Sequence, residues 1–312
     1  MKKNSDFAFI IGYIYSLESE LLTYSQIEKI KKSETIEDFK DKLKKERYKI
    51  KDFENIEQFN TLIDRKLEKT IEEIKEICPK TKSFEYIFCR EYFKTFKIAL
   101  KQNKTKNKIK SLNCFLKEQE IENIINFIET KNLDLIKPIY RRPFEECLNI
   151  FIEQENIKQA EILIDLKMYQ ILLEISKQDE FLNKRTKLEI SLKNISYIIR
   201  TLYFEKELNI KELETFLMED GLISKEKIIK NSQKDLKEIL KLYTDLNINS
   251  NSFSIAENFN LTDEIEKKIL DEFDKNYIFE TFCFTPIFLY INSLKKETEN
   301  LKEIILNIVF KI

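Results

Sequence analysis

Side chains able to do chemistry are unevenly represented in this chain of 312 residues, which contains no histidine. That absence removes the commonest general base and metal ligand, and with them the Ser-His and Cys-His nucleophile arrangements. Five cysteines occur, Cys78, Cys89, Cys114, Cys147 and Cys283, with no CxxC pair among them. A tetrahedral zinc site therefore lacks a ligand set, and no metal is expected. The thiols read as reduced and buried, as in a cytoplasmic protein. Carboxylates are abundant, yet no pair stands at a spacing that marks acid–base work, so a helical enzyme built on paired carboxylates ranks last. With Gly12 and Gly221 the only glycines, there is no phosphate-cradling loop, and no cofactor is expected.

One stretch has a binding look. From Phe84 to Leu100 the aromatics Phe84, Tyr86, Phe88, Tyr92, Phe93 and Phe96 alternate with Arg90, Lys94 and Lys97. Aromatic and basic side chains interleaved in this way can stack bases and hold phosphates. At helical spacing the same stripe reads more simply as core, the favoured reading. The segment Lys101 to Lys110 carries five lysines in ten residues and could extend a basic face. Against a polyanion binder stands the charge balance, 54 basic against 55 acidic residues and a net charge of −1. A nucleic-acid-binding or regulatory protein using Lys101 to Lys110 is the alternative, and no nucleic-acid partner is expected.

The elements that must position these residues are helices. Two glycines and four prolines are too few for the turns of a β-sandwich or α/β enzyme of this length. The fold class is all-α, with about a dozen helices joined by short polar breaks. The first helix should start near Ser5 or Asp6 and bury Phe7, Ile10, Ile11, Ile14, Leu17 and Leu21. Glu18 stands within that stripe, as a flank carboxylate or as one held by a basic partner. Gly12 marks either a close helix approach or a tolerated cost. Ser33 or Thr35 caps a short helix, and a long helical pattern fills Phe53 to Cys78. A bend is expected over Lys137 to Pro143, a break near Glu155–Asn156, and a helix stop at Gly221 with a new start near Ser224. Asn247 to Asn260 reads as a linker, and Thr262 caps the helix after it.

After Pro286 the chain runs to Ile312 without another proline or glycine. Leu301, Ile304, Ile305 and Ile308 fall at i, i+3, i+4 and i+7, with Leu294 two turns earlier on the same side. At 1.5 Å per residue this helix is about 37 Å long, and its apolar face must be covered by earlier helices. The N- and C-terminal helices are therefore expected to pack near each other. No segment is long and apolar enough for a membrane span, and Phe7 to Tyr15 lacks the cleavage site of a signal peptide.

Several short motifs occur in one order along nearly the whole chain. They are Leu17-Glu18 with Leu21-Leu22, the segment Tyr92 to Lys101, Ile164-Asp165 with Tyr169, the segment Ser191 to Arg200, Asp220-Gly221-Leu222, and Glu297-x-x-Asn300-Leu301-x-x-Ile304 after Pro286 and Tyr290. In this order they resemble the C-type subunit of the V-type (archaeal and bacterial A/V-type) ATP synthases, whose equivalent in vacuolar ATPases is the d-type subunit. That family carries two internal segments of the type Asp-x-x-Asn-Ile/Leu-Lys followed by a basic residue. In the first, Lys97 is kept while Tyr92 and Thr95 replace the aspartate and asparagine. In the second, Asn194, Ile195 and Arg200 are kept and Ser191 replaces the aspartate. Tyr15 stands where the family has a basic residue near the first helix.

The resemblance implies three similar helical lobes around a pseudo-threefold axis, forming a funnel without catalytic activity. Approximate lobes are 1–110, completed by 286–312, then 111–205 and 206–285. It implies a non-catalytic central-stalk subunit, a socket coupling the central shaft to the proteolipid rotor ring for ion transport linked to ATP synthesis or hydrolysis. The partners implied are the ring and shaft subunits, with no small-molecule substrate. The implied location is peripheral, on the cytoplasmic face of the membrane. The residues it singles out as structural or interface candidates are Glu18, Lys97, Asp165, Asn194, Arg200, Glu297 and Asn300. For these, tying neighbouring helices together is the preferred role over direct contact with shaft or ring.

Overall fold

The structure, a computed structural model, describes residues 2–79, 82–105, 116–154, 157–205, 210–233, 236–246, 261–281 and 283–310. Cys114, Lys106 to Lys110, the break at Glu155–Asn156 and the segment Asn247 to Asn260 lie outside the described residues. Every regular element among the described residues is helical. In order they are α1 (Lys2–Glu18), α2 (Tyr24–Lys31), α3 (Ile36–Lys45), α4 (Ile56–Ile77), α5 (Ser83–Thr105) and α6 (Glu118–Thr130). A 3-10 turn (Leu133–Leu135) leads into α7 (Pro138–Gln154), α8 (Ile157–Ser176) and α9 (Glu180–Glu205). Then come α10 (Ile210–Phe216), α11 (Lys225–Ser232), α12 (Leu236–Thr244), α13 (Leu261–Lys275) and α14 (Thr285–Phe310).

Local chemistry explains several starts. Thr35 accepts a hydrogen bond from the Asp38 N–H at 3.1 Å, Asn55 from the Gln58 N–H at 2.9 Å, and Ser224 from the Lys227 N–H at 3.3 Å. Thr23 and Gln26 form a reciprocal capping box at α2. Other boundaries differ from the sequence expectation. α1 begins at Lys2, upstream of Ser5 and Asp6, because nothing before Phe7 stops a helix from propagating. α4 is capped by Asn55 rather than starting at Phe53, which precedes the helix and packs its ring on Phe59 at 4.9 Å. Thr262 is the second residue of α13, not its cap, since burial of Ile265 and Ile269 fixes the helix face but not its first residue.

The bend expected over Lys137 to Pro143 is confined to its beginning. Ile136 is extended, Pro138 is the first residue of α7, and Pro143 lies inside that helix. A proline there removes one backbone bond and costs about 3 kcal/mol. The helix persists because Tyr140 and Phe144 are both fully buried on its inner face, each worth about 1.5–3 kcal/mol.

The chain forms two compact units. The first gathers α1 to α4 with α14. Here α14 packs along α4, α1, α2 and α3, so the N- and C-terminal helices share one core. Leu301, Ile304 and Ile305 meet Phe39, Phe53, Phe59 and Ile63 in that core. Gly12 has no neighbour within 4 Å of the position a Cβ would take, so no helix crosses closely there.

The second unit runs from Glu85 of α5 to Tyr277. The aromatic stripe of α5 is buried, as its helical spacing predicts: Tyr92 stacks on Tyr140 at 4.6 Å, and Phe96 stacks on Phe144 at 4.0 Å. A further core joins α9 to α13 through Leu192, Ile195, Ile199, Leu217, Ile239 and Ile269.

Candidate functional site

Four of the seven candidate residues meet in one place. Lys97 of α5, Asp165 of α8, and Asn194 and Arg200 of α9 line a cleft of about 540 Å³ in the second unit. Helical spacing brings them there in pairs. Lys97 and Lys101 stand one turn apart on α5, and Glu161 and Asp165 stand one turn apart on α8. Lys97 Nζ donates to Asp165 Oδ1 at 2.7 Å, and Lys101 pairs with Glu161, giving two rungs between the helices. A second pair of rungs joins α9 to α13: Lys193 Nζ to Glu266 Oε2 at 3.0 Å, and Arg200 Nη2 to Asp263 Oδ1 at 2.8 Å. These pairs are partly exposed, so each adds little stability alone; together they hold α5 against α8 and α9 against α13.

Asn194 does something the charged residues do not. Its amide is 1% exposed; Nδ2 donates to the Met218 carbonyl at 2.8 Å, and Oδ1 accepts from the Met218 N–H at 2.9 Å. Both polar groups of one residue in the α10–α11 connection are thus satisfied by one side chain. One turn earlier on α9, Ser191 Oγ accepts from the Ile223 N–H at 2.9 Å. The residue substituted for the family's aspartate therefore still holds this connection. Gly221 fits between: a Cβ there would lie 2.7 Å from Ser191 Oγ and 3.1 Å from the Ile223 carbonyl. α10 ends at Phe216, well before Gly221, and the left-handed residue is Asp220, φ 63°. Gly221 is thus required by close approach to α9 and is not the helix stop.

The first internal segment is built differently. Thr95 is fully buried and its Oγ1 has no hydrogen-bond partner. Tyr92, in place of the aspartate, donates to Glu120. Burial works against the charge of Glu120, but the Lys137 ammonium and the Tyr92 hydroxyl outweigh it and hold the carboxyl below its usual range.

A buried cluster of paired charges in this unit was not singled out from sequence. Arg185 and Glu189, one turn apart on α9, pair with each other, and Arg185 Nε also donates to Asp274 Oδ1 at 2.9 Å. Arg90 pairs with the same Glu189, and its Nη2 donates to Tyr86 Oη at 2.9 Å. Two arginines, Arg185 buried and Arg90 half-buried, thus balance two buried carboxylates. Burial opposes both charges, yet Arg90 and Arg185 hold Glu189 below the ordinary carboxylate range, and Glu189 in turn raises Arg90. The signal available in the sequence was an Arg-x-x-x-Glu pair on an otherwise apolar helix face. Of the basic residues on α5 considered for nucleic acid, Arg90 and Lys97 are held by carboxylates and Lys94 is exposed, while Lys106 to Lys110 lie outside the described residues.

The other three candidates belong to the first unit. Glu18 is the last residue of α1 and is exposed, the edge position rather than a buried one. Glu297 of α14 is 4% exposed and accepts the Leu22 N–H at 2.6 Å, tying the α1–α2 connection to α14. Burial raises its carboxyl above the usual range, against the opposing Leu22 hydrogen bond and Lys66 charge. Lys66 lies 3.8 Å above the Tyr48 ring beside it. Asn300 is half-buried on α14. Burial pushes the thiols of Cys78, Cys89 and Cys147 up to about 12, which leaves them unreactive. No group of side chains among the described residues could hold a metal ion, and no described helix is long and apolar enough to cross a membrane.

Fold and site together define a helical scaffold whose polar side chains mostly brace one another. The sequence profile of the ATP synthase (C/AC39) subunit matches residues 10–309, and the chain belongs to that family. Members of the family are central-stalk subunits of V-type ATPases and are not catalytic. A comparison with curated proteins finds no match.

Proposed function

We propose that this chain is the socket of a V-type ATPase or ATP synthase, seating the foot of the central shaft on the proteolipid ring and passing rotation between them. The observation that carries the reading is the family match across nearly the whole chain. The braced interior supports it in physical terms. An adaptor between two rotating parts must transmit torque without shearing, and helices cross-linked by ion-pair rungs and a clamped connection resist sliding. Asn194, Arg200, Lys97, Asp165 and Glu297 act in this reading by holding helices in register, not by touching substrate. The proposal includes three similar lobes about a pseudo-threefold axis and a location on the cytoplasmic face of the ring.

The test is affinity purification of the tagged chain from gently solubilised membranes, followed by identification of the partners by mass spectrometry. Ring proteolipids and shaft subunits are expected together. Recovery of the chain free of both, under conditions in which the remaining complex stays intact, overturns the proposal. An experimental structure of the complex tests the threefold internal superposition.

A further inference from the structure

The pair of helices α2 and α3 carries more positive charge than the fold uses. Between Lys29 and Lys51 the sequence has ten basic residues against five acidic ones, in a chain whose net charge is −1. Packing brings the two halves of this run together. Lys29 Nζ donates to Glu46 Oε1 at 3.1 Å, and Lys42 Nζ donates to the Lys32 carbonyl at 2.7 Å. The end of α2 therefore lies beside the last turns of α3. Lys29, Lys40, Lys42 and Lys49 are spent on carboxylates. Lys31, Lys32, Lys44, Lys45, Arg47 and Lys51 are exposed and form no ion pair among the described residues. A helix dipole asks for a cation or two in the last turn. Arg47 and Lys51 lie past the end of α3 and have no such role.

Unspent positive charge attracts any polyanion, so the apolar neighbours decide between them. α14 packs against both α2 and α3. Its inner face shares their core through Leu301, Ile304 and Ile305. In its last turns Leu306, Val309 and Phe310 fall at i, i+3 and i+4 and point the other way, 43%, 40% and 63% exposed. Tyr24 is 80% exposed and stands seven residues before Lys31, on the same side of α2. Nucleic acid or an acidic peptide gives aliphatic side chains nothing to enter. A bilayer meets both kinds of group: headgroup phosphates receive the cations, and the acyl boundary receives rings and aliphatic chains. Lysine, a mobile point charge, suits fluid headgroups that offer no fixed geometry. No described helix is long and apolar enough to cross the membrane, so the contact is one of surface with surface.

We propose that α2 and α3, with the last turns of α14, form a docking surface for an anionic phospholipid membrane. Lys31, Lys32, Lys44, Lys45 and Arg47 meet the headgroup phosphates, and Phe310 settles at the acyl boundary. Such binding needs neither ring nor shaft, so it stands or fails separately from the socket reading.

Sedimentation of the purified full chain with vesicles tests it, using equal parts of phosphatidylcholine and phosphatidylglycerol at low ionic strength, against phosphatidylcholine alone. Binding to the anionic vesicles is expected to be at least about tenfold tighter, and to be lost near 1 M salt, where screening acts within about 3 Å. Each lysine at an anionic surface contributes about fivefold. Lys31→Gln with Lys32→Gln should thus weaken binding about tenfold or more, as should Lys44→Gln with Lys45→Gln. Phe310→Ser should weaken it about fivefold. Lys94→Gln with Lys230→Gln makes the same change of charge on exposed residues of the second unit and should leave binding unchanged. All these side chains are exposed, and circular dichroism verifies that the variants fold. The proposal is overturned by equal binding to neutral vesicles, or by affinity insensitive to the lysine pairs or to Phe310→Ser. Duplex DNA or polyglutamate binding the chain as tightly as the anionic vesicles do also overturns it.

Discussion

Replacing Asn194 by alanine removes one side chain but strands two backbone groups. The Met218 N–H and carbonyl both depend on that amide, at 2.9 and 2.8 Å, and Asn194 is 1% exposed. Water cannot replace it without opening the α9 contact, so each orphaned group carries a penalty of about 1–3 kcal/mol. The expected loss for the two groups is therefore about 2–6 kcal/mol of stability. Thr95, at the equivalent place in the first internal segment, offers the matched control. Its Oγ1 is buried and unpartnered, so Thr95→Val removes an unsatisfied group at nearly constant shape and should be neutral or stabilising by up to about 1 kcal/mol. Both variants are compared with the parent by urea unfolding, followed by circular dichroism, with hydrogen exchange at the Met218 amide as a local readout. Asn194→Ala should lower the midpoint and speed Met218 exchange, while Thr95→Val should do neither. Equal losses in the two variants would refute the reasoning, because burial and size alone would then explain both.

Three further outcomes are expected. Glu297→Gln keeps the acceptor for the Leu22 N–H but cannot ionise. Burial raises the wild-type carboxyl above its unfolded value near 4.5, so the folded state binds the extra proton in that window, and wild-type stability falls as pH rises through it. The thermal midpoint of the variant relative to wild type should thus increase from pH 4.5 upward, and a difference shrinking with pH contradicts the assignment. Glu189→Ala removes the carboxylate shared by buried Arg185 and half-buried Arg90 and should cost about 3–5 kcal/mol, read from the urea midpoint. Lys131 closes α6 at φ 58°, where a side chain is strained, so Lys131→Gly should stabilise by about 1 kcal/mol; a lowered midpoint would show that the lysine makes compensating contacts.

How much of this was legible beforehand varies residue by residue. The helices of Phe59 to Ile74 and Leu294 to Ile305 could be read from apolar spacing alone, because burial of one face repeats at the helical period whatever covers it. The burial of the α5 aromatics followed from the same rule. The lack of histidine also removed histidine catalysis from consideration, since an absent side chain supplies no chemistry. Order of motifs pointed to the family. Helix ends were harder: Lys2, Asn55 and Leu261 differ from the expected starts because capping is a local competition that periodicity does not settle.

What only the tertiary structure decided was the pairing of distant side chains. Lys97 finds Asp165 across 68 positions and Arg185 finds Asp274 across 89, and no local pattern encodes such a meeting. Gly221 looked like a helix stop, yet its role comes from Ser191 lying 2.7 Å from where its Cβ would be. Ser196 looked ordinary until its neighbours were in place and its hydroxyl proved unpartnered. The physical reason is common to all three. Periodicity reports which face of a helix is apolar, whereas ion pairs, close approaches and unmet hydrogen bonds depend on which faces are brought together in three dimensions.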